Sequence, residues 1–182
     1  FDHNVGGNNM GNPGNYFYPY NGAWRMTKKH PVTRWNTLPD GKKGEYLTDR
    51  LTDEAIGFMD RNKQRPFFLY LSHYAVHTPL QAHRTMIDKY RKKPAGKHHG
   101  NPVYAAMIES VDESVGRIMG KLDKLGIADK TVVIFTSDNG PHQEGGHKAD
   151  FFDSNGPLRG IKRDLTEGGI RVPTIAWWPG VI

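Results

Sequence analysis

The feature that most constrains the fold is a long helical pattern between two short apolar runs. Its apolar residues recur at alternating steps of four and three: Tyr104, Ile108, Val111, Val115, Ile118, Leu122 and Leu125. That spacing predicts an amphipathic helix over 104–125, and Gly126 is placed to end it. The apolar runs 67–71 and 131–136 have the length and composition of buried strands.

The order of these elements indicates an α/β protein with a largely buried sheet. Further helices are predicted over 47–62 and 84–93, and a third strand over 174–178. Residues 1–45 are rich in Gly, Asn, Pro and aromatics and show no period, so they are interpreted as an irregular segment. Its aromatic residues either pack the segment down or line a groove, and packing is favoured. They are Tyr16, Phe17, Tyr18, Tyr20, Trp24 and Trp35.

Composition excludes several classes of protein. The chain has 182 residues and no cysteine, which excludes a disulfide scaffold, a cysteine-ligated zinc site and a cysteine nucleophile within it. An apolar fraction of 36% argues against disorder, and no apolar run approaches the ~20 residues of a membrane span. The formal net charge is +6. Most of it lies in the basic segment 84–97, which is either a solvated surface or a site for a polyanion.

Polar side chains follow two of the predicted strands. Asp138 and Asn139 come just after the second one, and carboxylate and amide oxygens suit Ca²⁺ or Mg²⁺, although the same residues also form turns. His77 follows the first strand and could donate a proton or bind an anion. Lys162 lies in a glycine-rich loop, where it is either a point charge for an oxyanion or simply solvated. If the two strands are parallel, His77 and the Asp138–Asn139 pair share one edge of the sheet.

Three segments together resemble the sulfatases of the arylsulfatase type, in the alkaline phosphatase superfamily. They are FFLYLSHYAVHTP over 67–79, TSDNGP over 136–141, and GIK followed by EGGIRVP within 160–173. Their order and spacing match, with the long helix between the first two. The resemblance implies an alkaline phosphatase-like core with a mostly parallel mixed sheet flanked by helices. Residues 46–182 would then be part of a sulfatase catalytic core.

The resemblance also implies roles for individual residues. Asp138 and Asn139 match calcium ligands, His77 matches the histidine at the sulfate and the leaving-group oxygen, and Lys162 matches the lysine that binds sulfate. Positive charge on the sulfate oxygens and a proton for the leaving alkoxide are what the chemistry requires. His142 and His147 lie in an extended loop beside these residues, where they either contact the substrate or pack.

Some parts of the family pattern do not occur in these 182 residues. The formylglycine nucleophile arises from a Cys/Ser-x-Pro/Ala-x-Arg motif, and the sequence contains none. We therefore expect the nucleophile and the remaining metal ligands in N-terminal sequence of a longer enzyme, which also supplies a C-terminal subdomain. Alone, this chain is expected to be inactive, to bind calcium weakly, and to expose sheet edges and core surface.

The expected substrate is a sulfated carbohydrate or an aryl sulfate, and the resemblance implies export to the periplasm or the extracellular space. Two alternatives stay open at this point. One is a phosphodiesterase or phosphonate monoester hydrolase of the same superfamily. The other is a non-enzymatic basic module that binds polyanions, although the sequence contains no recognised nucleic-acid motif.

Overall fold

The computed structural model describes residues 1–7, 11–20, 38, 41–96, 100–145 and 147–182. Trp24, Trp35 and Lys97, which the sequence analysis singled out, lie outside these ranges. The chain forms two compact units, each described by itself. Unit 1 contains residues 1–93 and 102–121, and unit 2 contains residues 94–101 and 122–182.

Unit 1 is built on three helices: α1 (Leu47–Asn62), α2 (Arg84–Arg91) and α3 (Pro102–Leu125), of which α3 contributes residues 102–121. Helices were predicted at all three positions, α1 and α3 from the period of their apolar residues. Leu47, Leu51, Ala55 and Met59 recur every four residues along α1 and are buried. None of the helices in the described ranges is long and apolar enough to cross a membrane.

Aromatic side chains pack the N-terminal segment onto the helices of unit 1. Tyr16, Tyr20 and Tyr46 are buried in one hydrophobic cluster with Leu47 and Met107. The rings of Tyr16 and Tyr46 stack with their centroids 5.7 Å apart. The packing role expected for Tyr16 and Tyr20 is thus confirmed, since buried aromatic rings contribute large apolar areas to a core.

A directional chain of hydrogen bonds crosses unit 1. The Thr52 hydroxyl donates to the Thr48 carbonyl over 2.7 Å, and the Ser114 hydroxyl lies 2.7 Å from the Thr52 oxygen. Because the single hydroxyl proton of Thr52 is already donated to Thr48, the Ser114 hydroxyl donates to the Thr52 oxygen. The Ser114 oxygen therefore accepts from His73 Nε2, 2.9 Å away. Nδ1 of His73 is inaccessible to solvent and has no hydrogen-bond partner among the described residues.

The basic charges of α2 are paired with acids inside unit 1. Arg84 and Arg91 both contact Asp88, and Lys89 contacts Glu109 of α3. These pairs are exposed to solvent, so each contributes little stability. They do reduce the positive charge that the segment 84–97 presents, and its binding of a polyanion stays a prediction.

The prediction of a strand over 67–71 is wrong. The exposure of its side chains alternates with a period of two, as in a strand, and Phe68 and Tyr70 are 73% and 69% exposed. However, a strand requires backbone pairing with a neighbour, and no described segment pairs with this one. Phe1 stacks on Phe68 instead, with ring centroids 5.8 Å apart.

Residues 122–182 of unit 2 begin with the last turn of α3. The N–H groups of Gly126 and Ile127 donate to the carbonyls of Asp123 and Leu122, which closes the helix in a Schellman motif. Gly126 has a φ of 65°, a conformation that glycine adopts without strain. The stop predicted at Gly126 is therefore confirmed. A 3₁₀ turn over Ala128–Lys130 leads into the sheet.

The sheet of unit 2 has two antiparallel strands, β1 (Val133–Thr136) and β2 (Thr174–Trp177). They confirm the strands predicted near these positions. No parallel pair occurs among the described residues, because the run 67–71 that was to pair in parallel is unpaired. Ile134 and Ile175 are 65% and 60% exposed, as the expected exposure of core surface requires.

Two loops of unit 2 approach each other through glycines. The stretch 140–170 contains two single-turn helices, α4 (Ala149–Phe152) and α5 (Glu167–Ile170). Gly140 N–H donates to the Gly169 carbonyl over 2.9 Å, and Gly168 N–H donates to the Arg159 carbonyl over 2.8 Å. A Cβ atom on Gly168 would lie 2.1 Å from a backbone oxygen of Gly160. The contact therefore excludes any side chain at position 168.

Replacing Gly168 with Ala should destabilise the protein by roughly 1–3 kcal/mol or more, because the new methyl group meets backbone that cannot move aside. The matched control is Gly116→Ala in α3, where an added Cβ meets nothing within 4 Å. There alanine should stabilise by about 0.5–1 kcal/mol. Urea denaturation followed by circular dichroism measures both, and equal midpoints for the two variants would contradict the close contact.

Unfolding should also depend on pH through His73. Burial lowers the pKa of His73 from 6.5 to about 4. Between these two pH values the ring is protonated in the unfolded chain and neutral in the folded chain. Above pH 6.5 the His73 ring is neutral in both states and does not affect the free energy of unfolding. As the pH falls from 6.5 to 4, that free energy should decrease by about 3 kcal/mol in all.

The variant His73→Gln keeps a donor toward Ser114 but cannot titrate, so its stability should fall less over this pH range. The exposed His3→Gln change serves as the control and should keep the full slope. Denaturation at half-unit pH intervals tests this expectation. Parallel curves for wild type and His73→Gln would show that His73 does not carry the effect.

Candidate functional site

Asp138 and Asn139 lie directly beyond the end of β1 in unit 2. Asp138 is exposed. The side-chain amide of Asn139 donates through Nδ2 to the Gly140 carbonyl over 2.9 Å, which leaves Oδ1 as the atom able to serve as a ligand. Asp138 and Asn139 thus each carry a hard oxygen atom, the donor type that calcium and magnesium prefer.

Lys162 is anchored on the segment that follows these two residues. Its backbone N–H donates to the Pro141 carbonyl over 2.7 Å. The loop around it is held by Asp164, whose carboxylate accepts the N–H of Ile161 over 2.9 Å. The Thr166 hydroxyl also donates to the Arg159 carbonyl over 2.7 Å. Unit 2 therefore brings Asp138, Asn139 and the Lys162 backbone into one cluster of loops.

Glu144 places a carboxylate among the cations of this cluster. Its oxygen forms an ion pair with Arg163. Burial works against ionisation of Glu144, but Arg163, Lys162 and His142 together hold the pKa of that carboxyl below its usual range. The positive charge of Lys162 is thus partly balanced from within unit 2.

His142 and His147 form a stack inside unit 2. Their ring centroids are 4.8 Å apart, and His147 stacks in turn on Phe152 at 4.6 Å. Both histidines are buried. The backbone N–H of Glu144 donates to Nδ1 of His142 over 3.0 Å, so that nitrogen carries no proton. This geometry is that of packed rings, and contact of either histidine with a substrate stays a prediction.

His77 belongs to unit 1, and the other five predicted site residues belong to unit 2. Its Nδ1 lies 3.0 Å from the Thr78 carbonyl. A carbonyl oxygen only accepts, so this contact requires a proton on Nδ1, and the Thr78 hydroxyl, at 3.3 Å, is the longer contact to the same nitrogen. The His77 carbonyl in turn accepts the Tyr16 hydroxyl over 2.9 Å.

Sequence reasoning did not single out Glu144, Arg163 or Tyr16 for the site. Arg163 directly follows Lys162, and Glu144 lies in the loop after Asn139, so their positions in the motifs were an available signal. Tyr16 gave no such signal. It lies 61 residues from His77, and only the fold brings the two together.

Comparison with known proteins identifies the family. The sulfatase family model matches residues 1–182. Human steryl-sulfatase is 44% identical over 140 residues, which cover 76% of this chain and 22% of that protein. N-acetylgalactosamine-6-sulfatase of Mus musculus is 35% identical over 195 residues, which cover 95% of this chain and 33% of that protein.

A solved structure extends the likeness to the fold. The crystal structure of Ps i-CgsB in complex with k-i-k-neocarrahexaose matches with a TM-score of 0.65 at 35% identity, covering 83% of this chain and 32% of that one. The alkaline phosphatase-like α/β fold expected from the motifs is thereby confirmed. This chain spans between about a fifth and a third of the length of the relatives named here. With its whole length matched by one family model, the chain belongs to the sulfatase family.

Proposed function

We propose that this chain is part of an enzyme that hydrolyses sulfate esters. The observation that carries the proposal is the hydrogen bond between Lys162 N–H and the Pro141 carbonyl, which joins the lysine loop to the segment carrying Asp138 and Asn139. A cation and a pair of hard oxygen ligands in one loop cluster suit an anionic ester. Membership of the sulfatase family supports the same activity.

Two side chains of this chain act on the ester in the proposal. The ammonium group of Lys162 binds non-bridging oxygens of the sulfate, where negative charge must be stabilised. The doubly protonated ring of His77 donates its Nε2 proton to the leaving oxygen, and the neutral ring that remains keeps its proton on Nδ1, toward the Thr78 carbonyl. A leaving alkoxide is a poor leaving group unless it is protonated or paired with a cation, so this proton lowers the barrier.

Calcium is the metal that the proposal assigns to Asp138 and Asn139. The carboxylate of Asp138 and Oδ1 of Asn139 are the right donor type, and the hydrogen bond from Asn139 Nδ2 to Gly140 fixes which amide atom is presented. Calcium takes roughly six to eight oxygen ligands, so the remaining ligands must come from elsewhere. When bound, the ion would supply Lewis-acid polarisation of the sulfate group.

The nucleophile is proposed to be a formylglycine in the rest of a longer protein. These 182 residues contain no cysteine and no motif from which a formylglycine is made. The relatives are about three to five times as long as the segment that they share with this chain, so they have room for that motif.

The proposed substrate is a sulfated carbohydrate. Two similar proteins support this class by name, an N-acetylgalactosamine-6-sulfatase and an enzyme crystallised with k-i-k-neocarrahexaose. A polymeric sulfated glycan does not cross a membrane unaided, so export to the periplasm or extracellular space forms part of the same proposal. An aryl sulfate serves as the assay substrate, since its phenolate product absorbs light.

Replacing Lys162 with Met should lower kcat/KM for an aryl sulfate by roughly 10²–10³-fold in the full-length protein, the usual effect of removing one donor to developing negative charge. The control is Lys130→Met, an exposed lysine of the same unit, which should keep wild-type activity. The wild-type protein is also assayed with an aryl phosphonate monoester and with a phosphodiester, and the kcat/KM values are compared with that for the aryl sulfate. A preference for either over the sulfate, or an active Lys162→Met, would refute the proposed reaction.

Asp138→Asn should weaken calcium binding by at least about tenfold, because calcium affinity rises with the number of charged ligands. Isothermal titration of the chelator-treated full-length protein measures it, with the exposed Asp150→Asn as the matched control in the same unit. Equal dissociation constants for the two variants would show that Asp138 is not a ligand.

A further inference from the structure

We propose that Tyr16 is a positioning residue for His77, and that its hydroxyl selects the ring tautomer that presents Nε2. The inference rests on the proposed function in one respect, namely that the His77 ring acts as the proton donor. Its test reads the ring itself and needs no sulfate ester.

Tyr16 and Tyr46 hold the segment 77–81 from one side. The Tyr16 hydroxyl donates to the His77 carbonyl over 2.9 Å, and the Tyr16 backbone N–H donates to the side-chain oxygen of Gln81 over 2.8 Å. The Tyr46 hydroxyl donates to the Gln81 carbonyl over 2.8 Å. The segment that begins with His77 is therefore fixed at both of its ends by donors from another part of unit 1.

Tyr16 itself has little freedom to move. It is 0% exposed, its ring stacks on Tyr46, and its carbonyl accepts the N–H of Leu47 at the start of α1 over 2.8 Å. Burial raises the pKa of the Tyr16 phenol well above its usual value. The hydroxyl thus stays protonated and remains a donor throughout the range in which a protein is folded.

The hydrogen bond from the Tyr16 hydroxyl to the His77 carbonyl affects the His77 ring through the backbone. The ψ angle of His77 sets the direction of its own carbonyl and also the path of the chain to Thr78. By holding that carbonyl, Tyr16 fixes ψ and keeps the Thr78 carbonyl within 3.0 Å of Nδ1. Asn12 approaches the same Thr78 oxygen from a second direction, at 3.4 Å. A proton on Nδ1 is favoured as long as this acceptor stays in place.

A purely structural role makes a different prediction. If Tyr16 only fills the core and pairs a buried carbonyl, its loss lowers stability and leaves the His77 ring unchanged. If it positions the ring, removing the hydroxyl alone changes the tautomer. Tyr46 separates the two roles, because it is equally buried and its hydroxyl goes to Gln81 rather than to His77.

The experiment compares Tyr16→Phe with Tyr46→Phe in the full-length protein labelled with ¹⁵N-histidine. The ring nitrogen shifts of His77, assigned by their absence in His77→Gln, are read at a pH where the ring is neutral. In Tyr16→Phe the ratio of the Nδ1–H to the Nε2–H tautomer should fall by roughly fivefold, the equivalent of one neutral hydrogen bond. In Tyr46→Phe it should stay at the wild-type value.

Equal ratios in wild type and a folded Tyr16→Phe would overturn the inference, and so would an equal fall in both variants. If Tyr16→Phe does not fold, 3-fluorotyrosine at position 16 keeps the ring and makes the hydroxyl a stronger donor. The ratio should then rise, and an unchanged ratio would overturn the inference in the same way.

Kinetics in the full-length protein connect the tautomer to the reaction. Tyr16→Phe should lower kcat for an aryl sulfate with KM unchanged, since the sulfate is bound by other groups. A fall in the tautomer ratio with no fall in kcat would overturn the positioning role. An inactive wild-type protein whose ratio still changes in Tyr16→Phe would count against sulfate ester hydrolysis and support the control of the ring by Tyr16.

Discussion

The close contact between two loops of unit 2 is the constraint on which the rest of the site depends. Backbone meets backbone at Gly140, Gly160, Gly168 and Gly169, without side chains between them. Only at that distance can Lys162 N–H reach the Pro141 carbonyl. Main-chain hydrogen bonds therefore hold the backbone of Lys162 beside the segment that carries Asp138 and Asn139.

Local periodicity was sufficient to predict α1 and α3, but not the single-turn helices α4 and α5. The pattern of α1 gave the same bounds, Leu47–Asn62, that the structure has, and α3 begins two residues before the predicted helix. The prediction of a strand over 67–71 was wrong because a strand is defined by backbone hydrogen bonds to a neighbouring strand. A run of hydrophobic residues does not show whether such a neighbour exists. The two strands that were correct, β1 and β2, pair with each other within unit 2.

Only the residues of the candidate site that lie in recognisable sequence motifs were predictable. Asp138, Asn139, Lys162 and His77 were predicted because they lie in motifs of recognisable order and spacing. The stacking of His142 on His147 was not predictable, since the sequence left both packing and substrate contact open. The contact of Tyr16 with His77 joins residues 61 positions apart, and no periodicity or motif carries that information.

The chain of hydroxyl groups from His73 has a further property. It ends at the carbonyl of Thr48, an atom that can accept a hydrogen bond but has no proton to pass on. Every proton along the chain therefore points the same way, from the imidazole through Ser114 and Thr52, and the reverse order is not available. Such a network fixes the tautomer of the neutral imidazole, with its proton on Nε2, but it cannot conduct a proton.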